Sequence, residues 1–457
     1  MEYSMEILVC KFGGSSVATH DKLEHIVHII RQDPRRRCIV LSAPGKAPEY
    51  TIKVTDLLID ASKKALDNQP YSEIVEAIKK RFRAIYQPLK VPSNEIEEVL
   101  SVLDRRMESS REHTGKFRDL IVASGEDLNS QLFARYLSSL GFSCSYINPG
   151  DAGMTVTPVF GDAQPLSDCA LKMAGLKRIC SESIVIFPGF FGYTAEGDVA
   201  TFSRGGSDLT GSLCAEALDA AEYENWTDVN GIFSAHPGIV NNPEQIPALT
   251  YKEMRELSYM GFNVLHEEAV KPVMRKKIPI RLRNTNNLSN TGTLIVSERL
   301  PNERDVIGVS SNGGFCSFTL QKFLMNRERG FGRRLLGIFE DLGLSYEHCP
   351  SGVDNISVIL DQEQLKSEVV NSIIRTIEEQ LQPDEVKSEF GISLVSVVGE
   401  GLVHKIGFLT KAATALSDAR VNIKMVNQGS SEMSIIFGID SSDEKKAVQA
   451  LYDAFFS

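Results

Sequence analysis

The feature that most constrains this chain is an alternation of short apolar strand patterns with amphipathic helix patterns. Ile7 to Cys10 is typical of a buried strand, and apolar residues then recur at helical spacing from Leu23 to Ile30, behind Thr19 as an expected cap. Further buried-strand patterns occur in CIVLSAP, SIVIFPGFFGY and AEYENWTDV, with helical patterns between them. This order predicts an α/β fold with a mostly parallel sheet sandwiched by helices.

The length of 457 residues exceeds one ordinary hydrophobic core, so we expect two or three domains. We predict that residues 1–298 form the α/β domain, with a helical insertion over about 55–115 that adds to the sheet. A connector rich in Asn, Thr, Gly and Pro follows, and a strand, loop, helix, strand order then occurs twice. We therefore predict two small α+β domains of the βαββ type, at 305–388 and 389–457, between which strands can be exchanged.

Composition excludes several classes of protein. The net charge of −11 argues against non-specific nucleic-acid binding. A run of about 18 apolar residues and the basic-then-apolar order of a signal peptide are both missing, so we expect a cytoplasmic protein without a membrane partner. The eight cysteines include no C-x-x-C pair, which favours reduced thiols in the core.

A glycine pair follows the opening strand in CKFGGSS. Gly13 and Gly14 lack Cβ atoms, so the backbone can bring its N–H groups against an anion, and Lys11 adds a positive charge at the same place. The loop lacks the G-x-x-x-x-G-K-[ST] spacing, which excludes the P-loop family. Taken alone, such a loop is more often a tight turn than a phosphate site.

A second glycine pair occurs in TFSRGGSDLTGSLCAEAL, where Gly205 and Gly206 precede a helix pattern and are flanked by Arg204 and Asp208. An arginine can hold a carboxylate by two parallel hydrogen bonds, and a carboxylate beside a phosphate can orient a lysine or an ammonium group. The alternative is a tight turn with a surface ion pair. Two such loops in one α/β domain favour separate sites for two negative groups.

Two further motifs are weaker when taken alone. Glu126 begins a predicted helix in VASGEDLN, where a capping role is the simplest interpretation. Thr227 and Asp228 end a strand in WTDV, and ligands bind at such strand ends in α/β sheets. Together the four motifs indicate a phosphoryl-transfer enzyme that positions a zwitterionic substrate with cations and N–H donors.

In this combination and order, the motifs resemble those of the aspartate kinases of the amino acid kinase family. The likeness covers nearly the whole chain, because the two carboxyl-terminal units are similar to ACT domains; SAPGK, FPGFFGY and NQGSSE are most similar to the lysine-sensitive, monofunctional type III enzymes. The resemblance implies phosphoryl transfer from ATP, with Mg²⁺, to the β-carboxylate of L-aspartate. This is the first step of lysine, threonine and methionine biosynthesis.

The resemblance also assigns residues by position, without a metal ligand from the protein. Lys11 and Asp208 would be catalytic, Arg204 would bind the α-carboxylate of aspartate, and Glu126 would bind its ammonium group. The substrate-binding residues would be Thr55, Glu126, Arg204, Gly206 and Ser207. The nucleotide-binding residues would be Lys11, Gly13, Gly14, Ser42, Thr227, Asp228 and Phe233.

The chain departs from the family pattern on the nucleotide side. Gly238 and Asn263 stand where many relatives carry an arginine and a lysine. We expect Lys271 or Arg275 to compensate for these missing cations.

In the carboxyl third, the resemblance implies binding of lysine, alone or with threonine, as a feedback inhibitor. The matching positions are Met325, Gly330, Phe331, Glu347, Asp354, Asn427 and Gln428. Loop and core packing is the alternative for these residues. Binding between ACT units implies a homodimer or a larger homo-oligomer. Two other functions stay open: a kinase of another amino acid carboxylate, such as glutamate, and a catalytically weak amino-acid sensor.

Overall fold

A computed structural model describes residues 6–203, 205–262, 265, 267–299 and 304–456. The chain forms two compact units, of which the first takes its residues from 1–232, 245–251 and 263–299. The second unit takes its residues from 233–244, 252–262 and 300–457. The predicted boundaries near 298 and 388 stay a prediction.

The described part of the first unit contains an eight-stranded sheet and a two-stranded hairpin. The strands are β1 (Leu8–Phe12), β2 (Arg36–Leu41), β3 (Cys144–Tyr146), β4 (Ile184–Pro188), β5 (Phe191–Tyr193), β6 (Val199–Thr201), β7 (Glu222–Thr227), β8 (Ala248–Thr250), β9 (Ile280–Asn284) and β10 (Thr293–Val296). The sheet order is β3-β4-β2-β1-β7-β9-β10-β8, and β5 pairs with β6. Among the described residues, only the β9–β10 pair of this sheet is antiparallel, which confirms the predicted mostly parallel α/β architecture.

Helices cover this sheet and form the insertion. They are α1 (His20–Gln32), α2 (Val54–Leu66), α3 (Ser72–Tyr86), α4 (Ser93–Met107), α5 (Thr114–Val122), α6 (Ser124–Ser139), α7 (Cys169–Lys172), α8 (Leu176–Glu182), α9 (Gly206–Leu218), α10 (Tyr251–Tyr259, which continues into the second unit) and α11 (Glu267–Lys276). Leu58, Ile78 and Leu100 of the insertion share one apolar core with Ile39 of the sheet. Thr19 stands at the amino end of α1, but its side chain makes no capping hydrogen bond to the described part of the chain.

The second unit contains an antiparallel sheet, as expected for ACT domains. Its elements are β11 (Gly308–Gln321), α12 (Phe331–Asp341), β12 (Asn355–Asp361), α13 (Ser367–Leu381), β13 (Glu385–Val398), α14 (Phe408–Asp418), β14 (Met425–Asn427), β15 (Ser434–Asp440) and α15 (Glu444–Phe456). In the described residues the strand order is β12-β11-β13-β15-β14. The long strands β11 and β13 pair from one end to the other, with a bulge between Asn312 and Phe315, and β13 contains residues of both predicted βαββ units.

The two faces of this second sheet differ. One face carries two apolar cores, formed with α12 and α13 and with α14 and α15. On the other face, Met260 packs against Phe315, Ile359 and Ile392. Residues 252–262, which follow the α/β motifs in sequence, thus pack on the second unit.

The described residues contain no helix long and apolar enough to cross a membrane. Six of the eight cysteines are buried, in keeping with core positions, and Cys144 and Cys349 are half-buried. The cytoplasmic location stays a prediction.

Candidate active site

The predicted site residues of the first unit lie where parallel strands end. Phe12 of β1 is in register with Leu41 of β2 and Trp226 of β7. Leu41 is in turn in register with Pro188 of β4. The carboxyl ends of four neighbouring strands therefore meet at one edge of the sheet, which is where ligands bind in open α/β folds.

The loop after β1 packs against two neighbouring segments. The Gly13 N–H donates to the Trp226 carbonyl oxygen over 3.1 Å, and Gly14–Val17 form a 3₁₀ turn. The Gly45 N–H donates to the Gly14 carbonyl oxygen over 2.8 Å. A Cβ atom on Gly45 would lie 2.6 Å from the carbonyl carbon of Gly14, so only glycine permits this approach of the loops after β1 and β2.

Lys11 and Asp208 form an ion pair at this edge. Lys11 Nζ lies 2.5 Å from Asp208 Oδ1, and the two side chains are only 11% and 15% exposed. Asn225 Nδ2 donates to the same carboxylate oxygen over 2.9 Å. Lys11 and Asn225 are in register on β1 and β7, so their side chains lie on the same face of the sheet and both reach Asp208. The structure thus brings the two predicted catalytic residues together.

The second glycine loop leads into α9. Gly205 has a φ of 77°, in the left-handed region that favours glycine, and Gly206 and Ser207 form the buried first turn of the helix. A Cβ atom on Gly189 would lie 2.6 Å from Ser207 Oγ, so the loop after β4 touches this turn. The free N–H groups at such a helix end favour negative charge. Arg204 lies outside the described residues.

Glu126 is a buried carboxyl group rather than an exposed cap. It lies in the first turn of α6 with 4% of its surface exposed, and Oε2 has no hydrogen-bond partner among the described residues. Burial raises the pKa of Glu126 to about 8, although a hydrogen bond from the Ala43 N–H opposes the shift. A buried carboxyl oxygen without a partner is suited to an ammonium group of a ligand.

The other predicted residues of this region are more loosely placed. The Ser42 N–H donates to the Phe12 carbonyl oxygen over 3.2 Å, which holds Ser42 beside the end of β1. Thr227 Oγ1 donates to Oδ1 of the exposed Asp228 over 3.2 Å. Thr55 lies in the first turn of α2 and is half-buried. Phe233 belongs to the second unit.

The position of Arg275 does not support its compensating role. Arg275 Nη1 lies 3.8 Å from Glu216 Oε1, near the carboxyl end of α9. Glu216 is about 15 Å along the helix axis from the first turn, at 1.5 Å per residue. Lys271 lines a cavity of about 190 Å³ beside the same helix. Asn263 lies outside the described residues, and Gly238 belongs to the second unit.

Four predicted effector residues lie around the loop that joins β11 to α12. Met325 and Phe331 are buried in the core beneath α12 and α13. Gly330 has a φ of 75° at the start of α12, and Asp354 Oδ1 accepts a hydrogen bond from the Leu324 N–H over 2.9 Å. Core and loop packing therefore describes the observed contacts of Met325, Phe331 and Asp354.

The other predicted effector residues form a second group. The Tyr259 hydroxyl donates to Glu347 Oε2 in a short hydrogen bond, and its ring contacts His348 edge to face. Asn427 Nδ2 lies 3.0 Å from His348 Nδ1. Gln428 is exposed. His348 thus connects Glu347 to Asn427. Tyr259 donates to the Glu347 carboxylate, which the family resemblance assigns to effector binding.

Sequence analysis missed Asn225, Gly45 and Gly189 as parts of the site. A polar Asn225 within the buried strand pattern EYENWT was a usable signal, because a buried amide must find a partner. Gly45 and Gly189 directly follow the strand patterns CIVLSAP and SIVIFP and could have been included as strand-end glycines.

Comparison with known proteins identifies the family to which each unit belongs. The amino acid kinase family profile matches residues 6–284, and an ACT domain profile matches residues 395–455. The fold of the first unit and its site thus define an amino acid kinase, and the second unit carries ACT domains.

Relatives along the full chain narrow the assignment. Aspartokinase 3 of Bacillus subtilis is 46% identical over 449 residues, which are 98% of each chain. The solved aspartate kinase of Clostridium acetobutylicum has a TM-score of 0.88 and 37% identity, covering 98% of this chain and 100% of the other. Escherichia coli aspartokinase III in complex with aspartate and ADP has a TM-score of 0.77 and 26% identity, covering 99% and 100%. In complex with lysine and aspartate, the same E. coli enzyme has a TM-score of 0.79 and 27% identity, with the same coverage. This chain therefore belongs to the aspartokinases of the amino acid kinase family.

Proposed function

We propose that this chain transfers the terminal phosphoryl group of ATP to the β-carboxylate of L-aspartate, which gives 4-phospho-L-aspartate and ADP. The observation that carries the proposal is the largely buried ion pair of Lys11 and Asp208, which joins the strand before the first glycine loop to the helix after the second. Phosphoryl transfer requires cations and N–H donors around the phosphates more than a strong base.

Each residue has a defined task in this reaction. A β-carboxylate oxygen of aspartate attacks the terminal phosphorus, and the bond to the bridging oxygen of ADP breaks. Lys11 offsets the charge that develops on the transferred group, and the Gly14 N–H donates to the phosphates. The Gly13 N–H, which donates to the Trp226 carbonyl oxygen, anchors the loop to β7. Asp208, which accepts a hydrogen bond from Asn225, holds Lys11 in place. A general base is not required, because the attacking carboxylate is ionised at neutral pH.

The acceptor is proposed from the complementarity of charges. Oε2 of the buried Glu126 has no hydrogen-bond partner among the described residues, and this oxygen would bind the ammonium group of a free amino acid. Arg204 would bind its α-carboxylate. This pair disfavours an N-acylated substrate, since acylation removes the ammonium charge. Support for aspartate comes from the E. coli relative that was solved with aspartate and ADP.

The donor set fits Mg²⁺ as an ion carried by ATP. The described residues include no group of three His, Cys, Asp or Glu side chains placed to hold a metal. Asp208 is occupied by Lys11 and Asn225, while Asp228 is exposed. We therefore expect phosphate oxygens and water to supply most of the ligands when Mg²⁺ is bound, where it neutralises phosphate charge.

The carboxyl-terminal unit would make the enzyme subject to feedback inhibition. We propose that lysine, alone or with threonine, binds near Glu347 and Asn427 between ACT units of a homodimer or larger homo-oligomer. Support comes from the E. coli relative solved with lysine and aspartate in the T-state. Inhibition would follow from a difference in lysine affinity between two arrangements of the enzyme.

Coupled measurement of ADP release with aspartate, glutamate and N-acetylglutamate tests the proposal. We expect turnover with aspartate only, and inhibition of that turnover by lysine. Preferred use of glutamate would indicate another amino acid kinase. Lysine binding without ADP release from any acceptor would indicate an amino-acid sensor, for which the departures at Gly238 and Asn263 are the motivating observation.

A further inference from the structure

The helical insertion places a buried arginine behind the two loops that meet at the site. Arg81 lies in α3 and only 1% of its surface is exposed. Its guanidinium carbon lies 4.3 Å from the centre of the Tyr50 ring. Its hydrogen-bond acceptors in the described part of the chain are backbone carbonyl oxygens and not carboxylates.

A buried cation without a carboxylate partner is costly unless its environment replaces water. Here burial lowers the pKa of the Arg81 guanidinium. The contacts that offset this cost are the Tyr50 ring face and the carbonyl dipoles, which are oriented toward the charge. An apolar residue could fill the same space without the desolvation penalty. The presence of a charged side chain at this buried position therefore points to a role for the carbonyl groups that accept its hydrogen bonds.

Those carbonyl groups belong to the two loops of the site. Arg81 Nη2 donates a short hydrogen bond to the Gly45 carbonyl oxygen and a longer one, 3.4 Å, to the Ala18 carbonyl oxygen. Ala18 directly follows the 3₁₀ turn Gly14–Val17 of the first glycine loop. Gly45 donates its own N–H to Gly14. One guanidinium group thus joins the loop after β1 to the loop after β2.

The loop after β2 is held from a second direction by α6. Asn129 Nδ2 donates to the Ser42 carbonyl oxygen over 2.8 Å, and the Tyr86 hydroxyl donates to Asn129 Oδ1 over 2.7 Å. Tyr86 and Arg81 both belong to α3. The helical insertion is therefore connected to both ends of the segment from Ser42 to Gly45.

We propose that Arg81 is a positioning residue for nucleotide binding: its guanidinium group clamps the loops after β1 and β2 together and so aligns the Gly14 N–H of the first glycine loop for phosphate. This inference rests on the proposed function. Two properties of the side chain are needed: the planar fork, whose Nη2 reaches the carbonyl oxygens of both loops while Nη1 reaches that of Ile52, and the flat face that stacks on Tyr50. Lysine preserves the charge but has neither property.

The test compares Arg81→Ala and Arg81→Lys with a matched control, Arg111→Ala. Arg111 also donates to backbone carbonyl oxygens and packs on aromatic rings, but it joins α2 to the end of α4, away from the site loops. We expect both Arg81 variants to raise the KM for ATP by roughly 10–100-fold, the range for misplacement of binding groups. The control should lower thermal stability without changing the KM for ATP by more than about twofold.

Chemical rescue separates positioning from general stability. In Arg81→Ala, free guanidinium at concentrations far below those that unfold proteins should occupy the vacated space and lower the KM for ATP. It should not affect Arg111→Ala or the wild type in this way. An unchanged KM in the Arg81 variants, or a raised KM that guanidinium does not lower, would overturn the proposal. If Arg81→Ala does not fold, the KM of Arg81→Lys decides.

A direct binding measurement keeps this inference separate from the proposed reaction. Trp226 is the single tryptophan of the chain. Its backbone carbonyl oxygen accepts a hydrogen bond from the Gly13 N–H and its ring stacks on Phe12, so its fluorescence reports on the glycine loop. Titration with ATP gives a dissociation constant without turnover. A wild type that binds ATP but phosphorylates no amino acid would refute the proposed function alone. Equal ATP affinity in wild type and Arg81→Lys would refute the role of Arg81 alone.

Discussion

Replacement of Lys11 by methionine removes the positive charge beside Asp208 while preserving most of the side-chain volume. At the observed separation of 2.5 Å, two unit charges attract by about 7 kcal/mol at an effective dielectric constant near 20, before desolvation. Desolvation of both groups offsets much of that energy. Since Asp208 would stay largely buried with Asn225 as its remaining described partner, we expect the free energy of unfolding to fall by up to about 3–5 kcal/mol, the range for a fully buried pair.

The effect on catalysis should be separate from the effect on stability. Loss of one charge-stabilising donor typically lowers kcat by about 10²–10³-fold, and we expect at least this loss in Lys11→Met. The double variant Lys11→Met/Asp208→Asn removes both charges and should recover stability without recovering turnover. Urea unfolding and coupled ADP release measure the two quantities. A kcat within threefold of wild type in Lys11→Met, or recovered turnover in the double variant, would refute this role of Lys11.

Three further predictions concern the buried carboxyl group, the effector contact and the glycine loops. Ionised Glu126 would bind the ammonium group, and burial raises the pKa of Glu126 to about 8. We therefore expect kcat/KM for aspartate to rise about tenfold per pH unit below pH 8, and Glu126→Gln to flatten this rise. A flat pH profile in the wild type would contradict the assignment of Glu126. Tyr259→Phe removes the hydroxyl that donates to Glu347 Oε2 and should lower the lysine concentration for half inhibition by about 2–10-fold. Unchanged inhibition would exclude competition between the Tyr259 hydroxyl and lysine for that oxygen. Gly45→Ala forces a Cβ atom against the Gly14 backbone. This variant should lower the free energy of unfolding by about 1–3 kcal/mol and raise the KM for ATP. Unchanged values in both assays would show that the loops after β1 and β2 can separate without cost.

The architecture of the first unit follows from local patterns in the sequence. Apolar strand patterns separated by amphipathic helices predict a covered parallel sheet, and glycines after strands predict a site at its carboxyl edge. The family resemblance assigns Lys11 and Asp208 to one catalytic site, and the two side chains form an ion pair in the structure. Asn225 was missed, because its contact with Asp208 depends on which strand lies beside β1, and strand order is a property of the whole fold.

Burial was harder to predict than secondary structure. Arg81 lies in a helix pattern rich in charged residues, where an arginine is expected to face solvent, yet it is buried. Glu126 was interpreted as a helix cap, and its burial depends on packing of α6 beneath the loop after β2. In the second unit, the sequence repeat indicates two similar domains. The pairing of β11 with β13 is a contact between the two copies, so the pattern within one copy does not predict it.

Trapping of the product with hydroxylamine tests the central claim most directly. Hydroxylamine attacks an acyl phosphate, releases inorganic phosphate and leaves a stable hydroxamate at the carbon that carried the phosphoryl group. Mass spectrometry and chromatography against synthetic standards then distinguish the two carboxyl groups of aspartate. We predict formation of aspartate β-hydroxamate that requires ATP and is lost in Lys11→Met. Formation of the α-hydroxamate, or ATP hydrolysis without any hydroxamate from aspartate, would contradict the account.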